Sequence, residues 1–106
     1  MLFRSYIHVG DLADAHLVAL QKASKEYINE VYNVGSGTGY SVKEMMEQMA
    51  LSMNLAFEPI NSSRRPGDSP QLIASIKKIE DELGWKPNTN LKDGLKITYN
   101  WYTSNF

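Results

Sequence analysis

Hydrophobic residues recur at the 3.6-residue spacing of an α-helix in four stretches of the chain. The strongest follows Ser41, which forms a capping box with Glu44 and precedes a stripe of Val42 and four methionines. These methionines are interpreted as core residues, because Met fills irregular apolar space well. The other predicted helices run from Asp11 to about Ala23, from the cap residue Ser75 to Gly84, and from Asn90 towards the C-terminus.

Short runs rich in β-branched and aromatic residues lie between these helices. They predict strands at Tyr6–Val9, Glu30–Val34 and 55–60, with a brief extended piece at Leu72–Ala74. Residues 61–70 form the longest loop. The pattern predicts a small α/β or α+β unit, with strands too few and short for a complete doubly wound sheet.

Length and charge narrow the possible functions. A chain of 106 residues has room for one domain with a core, and we treat residues 1–106 as that domain. Eleven basic and twelve acidic residues give a net charge of −1, which provides no general attraction for nucleic acid or an anionic membrane. The chain has no cysteine and no apolar run long enough to span a membrane, so we expect a soluble cytoplasmic protein.

The segment Arg64-Arg65-Pro66-Gly67-Asp68 is the strongest candidate for a binding site. Pro66 fixes its φ angle and Gly67 permits a tight reversal, so the charges on either side should be held in place. A guanidinium matches two phosphate oxygens, and an ionised carboxylate accepts hydrogen bonds from hydroxyl groups. The alternative is a solvated turn with an Arg–Asp pair that contributes little.

Other candidate motifs have simpler explanations. The loop Gly35-Ser36-Gly37-Thr38-Gly39 lies between a predicted strand and a helix, but Tyr40 stands where the third glycine of G-x-G-x-x-G would be needed. We interpret it as a structural turn. His8 and His16 have no third ligand at a suitable spacing, so no metal site is expected.

Several segments together resemble a known family. The run from Arg4 to His16 resembles the R-D-Y-I-H-V-x-D-L-A-x-A-H segment of UDP-glucose 4-epimerases, which are extended short-chain dehydrogenases/reductases. Further similar segments follow in the same order, at Val31–Gly35, Gly39–Val42, Arg64–Asp68 and Glu82–Pro87, so the resemblance extends over essentially the whole chain.

The resemblance implies a fold and a set of binding residues. The chain would be the C-terminal, substrate-binding domain of such an enzyme, without the N-terminal Rossmann domain that binds NAD. By similarity, Arg4 and Arg65 would contact the UDP diphosphate and Asp68 a ribose hydroxyl, with Arg64 beside them in a less defined role. Ser5 replaces the usual Asp, so an acidic contact at that position is in doubt.

The resemblance also implies that catalytic parts are missing. In the family, NAD takes the C4 hydride of the sugar and a Tyr-x-x-x-Lys pair supplies the base, but none of the six tyrosines here has a lysine four residues later. We therefore expect no catalytic residue, no cofactor bound by this chain, and no activity of the chain alone. The alternatives are the same domain of a 4,6-dehydratase or decarboxylase, or a stand-alone non-catalytic binding domain.

A detached domain should also expose the surface that its missing partner would cover. We expect weak binding of a UDP-sugar, together with self-association through that surface or disorder near residues 61–70. Neither nucleic acid nor membrane is expected as a partner.

Overall fold

The structure is a computed structural model, and it describes residues 2–54, 56 and 58–106. Within these residues the chain forms four helices and three short strands, which confirms the small α/β fold. Their bounds are β1 Phe3–Arg4, α1 Val9–Ala23, β2 Tyr40–Ser41, α2 Val42–Met53, β3 Gln71–Leu72, α3 Lys77–Leu83 and α4 Leu91–Asn105.

The three strands form one sheet with β1 in the middle. β1 pairs antiparallel with β2, where Arg4 faces Tyr40, and parallel with β3, where Arg4 faces Leu72. Two flanking hydrogen bonds extend this pairing, from Phe3 N to Pro70 O at 3.0 Å and from Val42 N to Leu2 O at 3.1 Å. As a result, the start of α2 and the end of the 61–70 loop lie on either side of the first residues of the chain.

The strand predicted at Tyr6–Val9 is wrong, because β1 lies earlier and Val9 already belongs to α1. α1 also begins earlier than the predicted start at Asp11. His8 is the N-cap, and its Nδ1 accepts a hydrogen bond from Gly10 N at 3.1 Å. Asp11 lies in the first turn with its carboxylate buried, where it accepts hydrogen bonds from the backbone of Asn88 and Thr89.

The strand predicted at Glu30–Val34 is also wrong, since this segment pairs with no strand in the described part of the chain. Side chains of α3 hold it instead. Lys78 Nζ donates to Val31 O at 3.0 Å and to the Glu30 carboxylate at 2.8 Å, and the Tyr32 hydroxyl donates to Glu82 at 3.0 Å. The residues of this segment do have high β propensity, but a strand also requires a neighbouring strand with which to pair.

Local capping signals correctly predict three of the helix ends. Ser41 and Glu44 form the expected capping box, and Asn90 caps α4 through a hydrogen bond from Asp93 N. Gly84 ends α3 with a φ of 70°, in the left-handed region that glycine favours. The predicted cap Ser75 is wrong, because α3 begins after Ile76 without a side-chain cap.

Two further sequence-based expectations have different outcomes. The brief extended piece expected at Leu72–Ala74 corresponds to β3 at Gln71–Leu72. Of the strand expected at 55–60, Leu55 and Phe57 lie outside the described residues, and residues 56 and 58–60 belong to no strand.

The hydrophobic core is small. Among the described residues only Ala15, Ile79 and Trp85 are buried hydrophobics, with side chains such as Ile7 and Tyr32 packed against them. The accessible surface is 8080 Å², against about 6,000 Å² for a compact monomer of this mass. The radius of gyration is 16.4 Å, against about 13 Å for a compact domain of this length. The fold is therefore more open than an independent domain of its size.

Candidate functional site

The segment Arg65–Asp68 forms a tight turn. Pro66 and Gly67 occupy its two central positions, Gly67 has a φ of 85°, and Asp68 N donates to Arg65 O at 3.4 Å. This is the arrangement of a type II turn, in which proline presets the first position and glycine supplies the positive φ of the second. The sequence therefore fixes the distance between the side chains of Arg65 and Asp68.

The two side chains form an ion pair across the turn. Arg65 Nε donates to Asp68 Oδ2 at 2.9 Å, while the Arg65 side chain is 81% exposed and that of Asp68 is 22% exposed. An exposed pair of this kind contributes little stability by itself. Among the described residues, the Nη groups of Arg65 and Oδ1 of Asp68 have no other hydrogen-bond partner, which suits a ligand that carries both phosphate and hydroxyl groups.

The turn borders a groove of about 820 Å³. One wall is the loop from Pro59 to Arg65 together with Asp68, so Arg64, Arg65 and Asp68 line the same space. The start of α2 also lines the groove, with Val42, Lys43 and Met46, as does Leu2, and we call these α2 residues the α2 wall. The groove combines three cationic side chains and one carboxylate with an apolar surface, as a phosphorylated organic ligand requires.

Arg4 belongs to the neighbouring strand and does not line this groove. Its Nη1 donates to Phe3 O at 2.8 Å, and the side chain is half-buried. Leu2, two residues before Arg4 in the chain, does line the groove. The fold thus brings Arg64, Arg65 and Asp68 together in one groove, whereas Arg4 is outside its lining.

Lys43 is a groove residue that the sequence analysis did not select. It lies within the Ser41–Glu44 capping box, which explains the helix start without involving the Lys43 side chain. Its position follows from the pairing of β1 with β2, which sets the start of α2 beside the first residues of the chain. Only long-range strand pairing could have indicated it.

The glycines of the 35–39 loop are explained by close packing within the chain. A Cβ atom at Gly35 would lie 3.0 Å from the Ser5 Cβ, and one at Gly39 would collide with Ile73. Gly37 has a φ of 77°, which glycine adopts without strain. These close contacts explain the glycines by packing and backbone conformation, which supports a structural turn.

Ser5 also has a structural contact, since its Oγ accepts a hydrogen bond from Ala74 N at 2.7 Å. Both histidines make local hydrogen bonds: His8 caps α1, and His16 Nδ1 lies 2.8 Å from Leu12 O. The described residues contain no group of three or more His, Cys, Asp or Glu that could hold a metal ion. No helix in the described part of the chain is long and apolar enough to cross a membrane.

Two titratable groups have shifted pKa values, and both lie where α3 meets the 30–34 segment. Desolvation and the hydrogen bond to Glu82 raise the pKa of Tyr32 above its ordinary 10.0. The hydrogen bond to Glu30 raises the pKa of Lys78 above its ordinary 10.5. A tyrosine or lysine that acts as a base needs a lowered pKa, so these shifts point to structural roles.

A second groove, of about 720 Å³, lies between α2, α4 and the segment 6–9. It is lined largely by apolar side chains such as Met45, Met49 and Leu95, and no Lys, Arg, Asp or Glu lines it. It lacks the charges that would hold an anion, so the groove at the 64–68 turn is the better candidate for a nucleotide.

Comparison with known proteins relates the chain to nucleotide-sugar enzymes. The model of the family described as GDP-mannose 4,6 dehydratase matches residues 2–98. The chain is 40% identical over 103 residues to UDP-glucose 4-epimerase 2 of Arabidopsis thaliana, a match that covers 96% of this chain and 29% of that protein. The chain thus spans less than a third of that relative's length.

Solved structures give the same relationship. The structure of UDP-glucose 4-epimerase from Bifidobacterium longum, in complex with NAD+ and UDP, matches 99% of this chain and 31% of its own, with a TM-score of 0.86 and 35% identity. The structure of dTDP-glucose 4,6-dehydratase from Bacillus anthracis, in complex with NAD, matches with a TM-score of 0.81 and 27% identity, covering 99% of this chain and 32% of that one.

These matches extend over the whole described fold, including the groove and the turn that borders it. The chain therefore belongs to the GDP-mannose 4,6 dehydratase family of extended short-chain dehydrogenases/reductases, in which it corresponds to the C-terminal part of the UDP-glucose 4-epimerases.

Proposed function

We propose that this chain is the UDP-binding part of a UDP-sugar 4-epimerase. The observation that carries the proposal is the position of Arg64, Arg65 and Asp68 together on one wall of the 820 Å³ groove. The likeness to UDP-glucose 4-epimerases, one of them solved with UDP, supports the choice of nucleotide.

In this proposal each charged side chain has its own part of the ligand. Arg65 holds phosphate oxygens through its Nη groups, because its Nε is already paired with Asp68. Asp68 accepts a hydrogen bond from a ribose hydroxyl through Oδ1. Arg4 reaches the diphosphate from β1, exchanging its internal bond to Phe3 O for the ligand, and Arg64 adds positive charge at the groove edge.

We assign no catalytic residue and no cofactor contact to this chain. NAD, which the family implies, would accept and return the hydride at C4 of the sugar. The residues described here have another task, which is to hold the nucleotide so that the sugar stays in one place. Binding of this kind contributes to catalysis by orientation.

The binding should be weak in the chain alone. Arg65 and Asp68, which contact the ligand from within the groove, contribute roughly 3–6 kcal/mol as charge-assisted hydrogen bonds. This is less than the roughly 8 kcal/mol of micromolar affinity, and immobilising the ligand and the exposed side chains lowers the net value further. We therefore expect a millimolar or weaker dissociation constant for UDP and UDP-glucose.

An NMR titration of the chain with UDP tests the proposal. Shifts should centre on residues 64–68 and on Arg4, and Arg65→Gln should weaken binding by about tenfold, corresponding to about 1.4 kcal/mol. Lys77→Gln is the matched control, since Lys77 is also 81% exposed and ion-paired, to Asp81 at 3.3 Å, but lies outside the groove. Shifts confined to other surfaces, or equal losses in both variants, would refute the assignment.

A second candidate is the corresponding part of a nucleotide-sugar 4,6-dehydratase. It is favoured by the description of the matching family model and by the likeness to a dTDP-glucose 4,6-dehydratase. The same titration with dTDP and GDP separates the two: tighter binding of UDP supports the epimerase, and tighter binding of dTDP or GDP supports the dehydratase.

A further inference from the structure

Lys43 is a third cation of the groove and comes from a different element than the two arginines. It is the second residue of α2, and it lines the groove together with Val42 and Met46. Arg64 and Arg65 come from the loop that lines the same groove. A ligand in this space would therefore meet positive charge from both elements.

Its place in the helix does not by itself indicate a binding role. Lys92 occupies the same position in α4, two residues after the cap Asn90, just as Lys43 follows Ser41. A positive charge near a helix N-terminus is mildly unfavourable in both cases. The difference between the two lysines is that Lys43 lines the groove and Lys92 does not.

Lys43 also has no ionic partner among the described residues. The ion pairs found there join Lys22 to Glu26, Arg65 to Asp68, Lys77 to Asp81 and Lys78 to Glu30. Glu47 lies one helical turn after Lys43 but is not within ion-pair distance of it. The ammonium group can therefore donate to an anionic ligand without giving up an ion pair.

We propose that Lys43 is a phosphate-binding residue, which contacts the diphosphate from the α2 wall while Arg65 contacts it from the loop wall. This inference rests on the proposed function, because it requires that the groove hold a nucleoside diphosphate. It makes a prediction that the proposed function does not: the α2 wall discriminates between charged and uncharged nucleosides.

The test measures binding of UDP and of uridine to the 106-residue chain by NMR, in the wild type and in the variants Lys43→Gln and Lys92→Gln. Lys43→Gln should weaken UDP binding by roughly 3- to 10-fold, about the effect of one lost charged contact. Its affinity for uridine should change by less than about twofold, because uridine carries no phosphate. Lys92→Gln relieves the same helix-terminal charge and should leave both affinities unchanged.

Each possible outcome of this experiment either supports or contradicts the role of Lys43. A selective loss of UDP affinity in Lys43→Gln supports the inference. Unchanged UDP binding in that variant, while Arg65→Gln still weakens it, overturns the inference and leaves the proposed function standing. Equal losses for UDP and uridine also overturn it, since they indicate a change in groove shape. If the wild type does not bind UDP, the proposed function and the inference both fail.

Discussion

The buried carboxylate of Asp11 accepts a hydrogen bond from Thr89 N at 2.9 Å and so joins the start of α1 to the loop before α4. The same carboxylate oxygen accepts from Asn88 N at 3.1 Å, and the second oxygen lies 3.3 Å from Thr89 Oγ1. Hydrogen bonds to a charged group are stronger than neutral ones, and buried donors that lose their partner are costly. In a chain with so small a core, this polar junction should carry much of the stability.

Replacing Asp11 should therefore destabilise the fold. Asp11→Ala leaves two backbone N–H groups without an acceptor, and we expect a loss of about 2–3 kcal/mol in urea-induced unfolding followed by circular dichroism. Asp14→Ala is the control, since Asp14 is exposed on the same helix, and it should cost less than about 0.5 kcal/mol. Similar losses in both variants would show that helix charge, rather than the junction, accounts for the effect.

The turn at the groove gives a second prediction. Gly67 has a φ of 85° and open space around it, so Gly67→Ala meets no clash and acts only through backbone strain of about 1 kcal/mol. We expect several-fold weaker UDP binding, measured by NMR, because the separation of Arg65 and Asp68 changes.

Gly84→Ala is the matched variant for this experiment. Gly84 also has a positive φ, of 70°, and open space, but it ends α3 and lies outside the groove. It should lower the melting temperature without changing the affinity of the folded chain for UDP. If both variants weaken binding equally, the turn geometry is not the cause.

The contact between α3 and the 30–34 segment should weaken in alkali. The pKa values of Tyr32 and Lys78 are raised in the folded state, so the stability that they add is present below their ordinary values of 10.0 and 10.5. It is lost as the pH rises through the higher folded values. The melting temperature should therefore fall more steeply above about pH 10 in the wild type than in Tyr32→Phe.

Tyr27→Phe provides the comparison, since Tyr27 is 89% exposed. That variant should follow the wild-type pH profile. A Tyr32→Phe profile that coincides with the wild type throughout would show that the hydrogen bond to Glu82 contributes nothing to the alkaline loss.

The exposed apolar surface predicts self-association of the isolated chain. Val9, Leu17 and Leu20 are 71%, 52% and 67% exposed on α1, and Tyr27 and Val31 are more exposed still. Exposed apolar surface commonly marks an interface where it forms a patch. Sedimentation velocity over a range of concentrations should show oligomers, and Leu20→Glu should reduce them. A single monomeric species at all concentrations would contradict this prediction.

The helices could be predicted because their signals are local. The capping box of Ser41 and Glu44, the cap Asn90 and the left-handed Gly84 all act within a few residues, and each is confirmed. The strands could not be predicted equally well, since a strand of two residues is defined by its partners. Val31 lies in a run with strong β propensity and still pairs with no described strand, whereas Arg4 pairs on both sides.

The same distinction applies to the site. The turn from Arg65 to Asp68 could be predicted, because Pro66 and Gly67 determine its geometry within four residues. The α2 wall of the groove could not be predicted, since Lys43 comes to the groove through the pairing of β1 with β2. The assigned ligand roles of Arg4, Arg64, Arg65 and Asp68 stay predictions until binding is measured.

The short link between the turn and β3 makes the site sensitive to chain length. Only Ser69 and Pro70 separate Asp68 from Gln71, the residue that pairs with Phe3. Each residue of extended chain spans about 3.3 Å, roughly the length of a hydrogen bond. One residue inserted at this link would move the Asp68 carboxylate relative to β1 by about the length of a hydrogen bond. An insertion in the loop before Arg64 would leave the spacing between Asp68 and β1 unchanged. Among related sequences, insertions and deletions should therefore occur before the turn and be absent between the turn and β3.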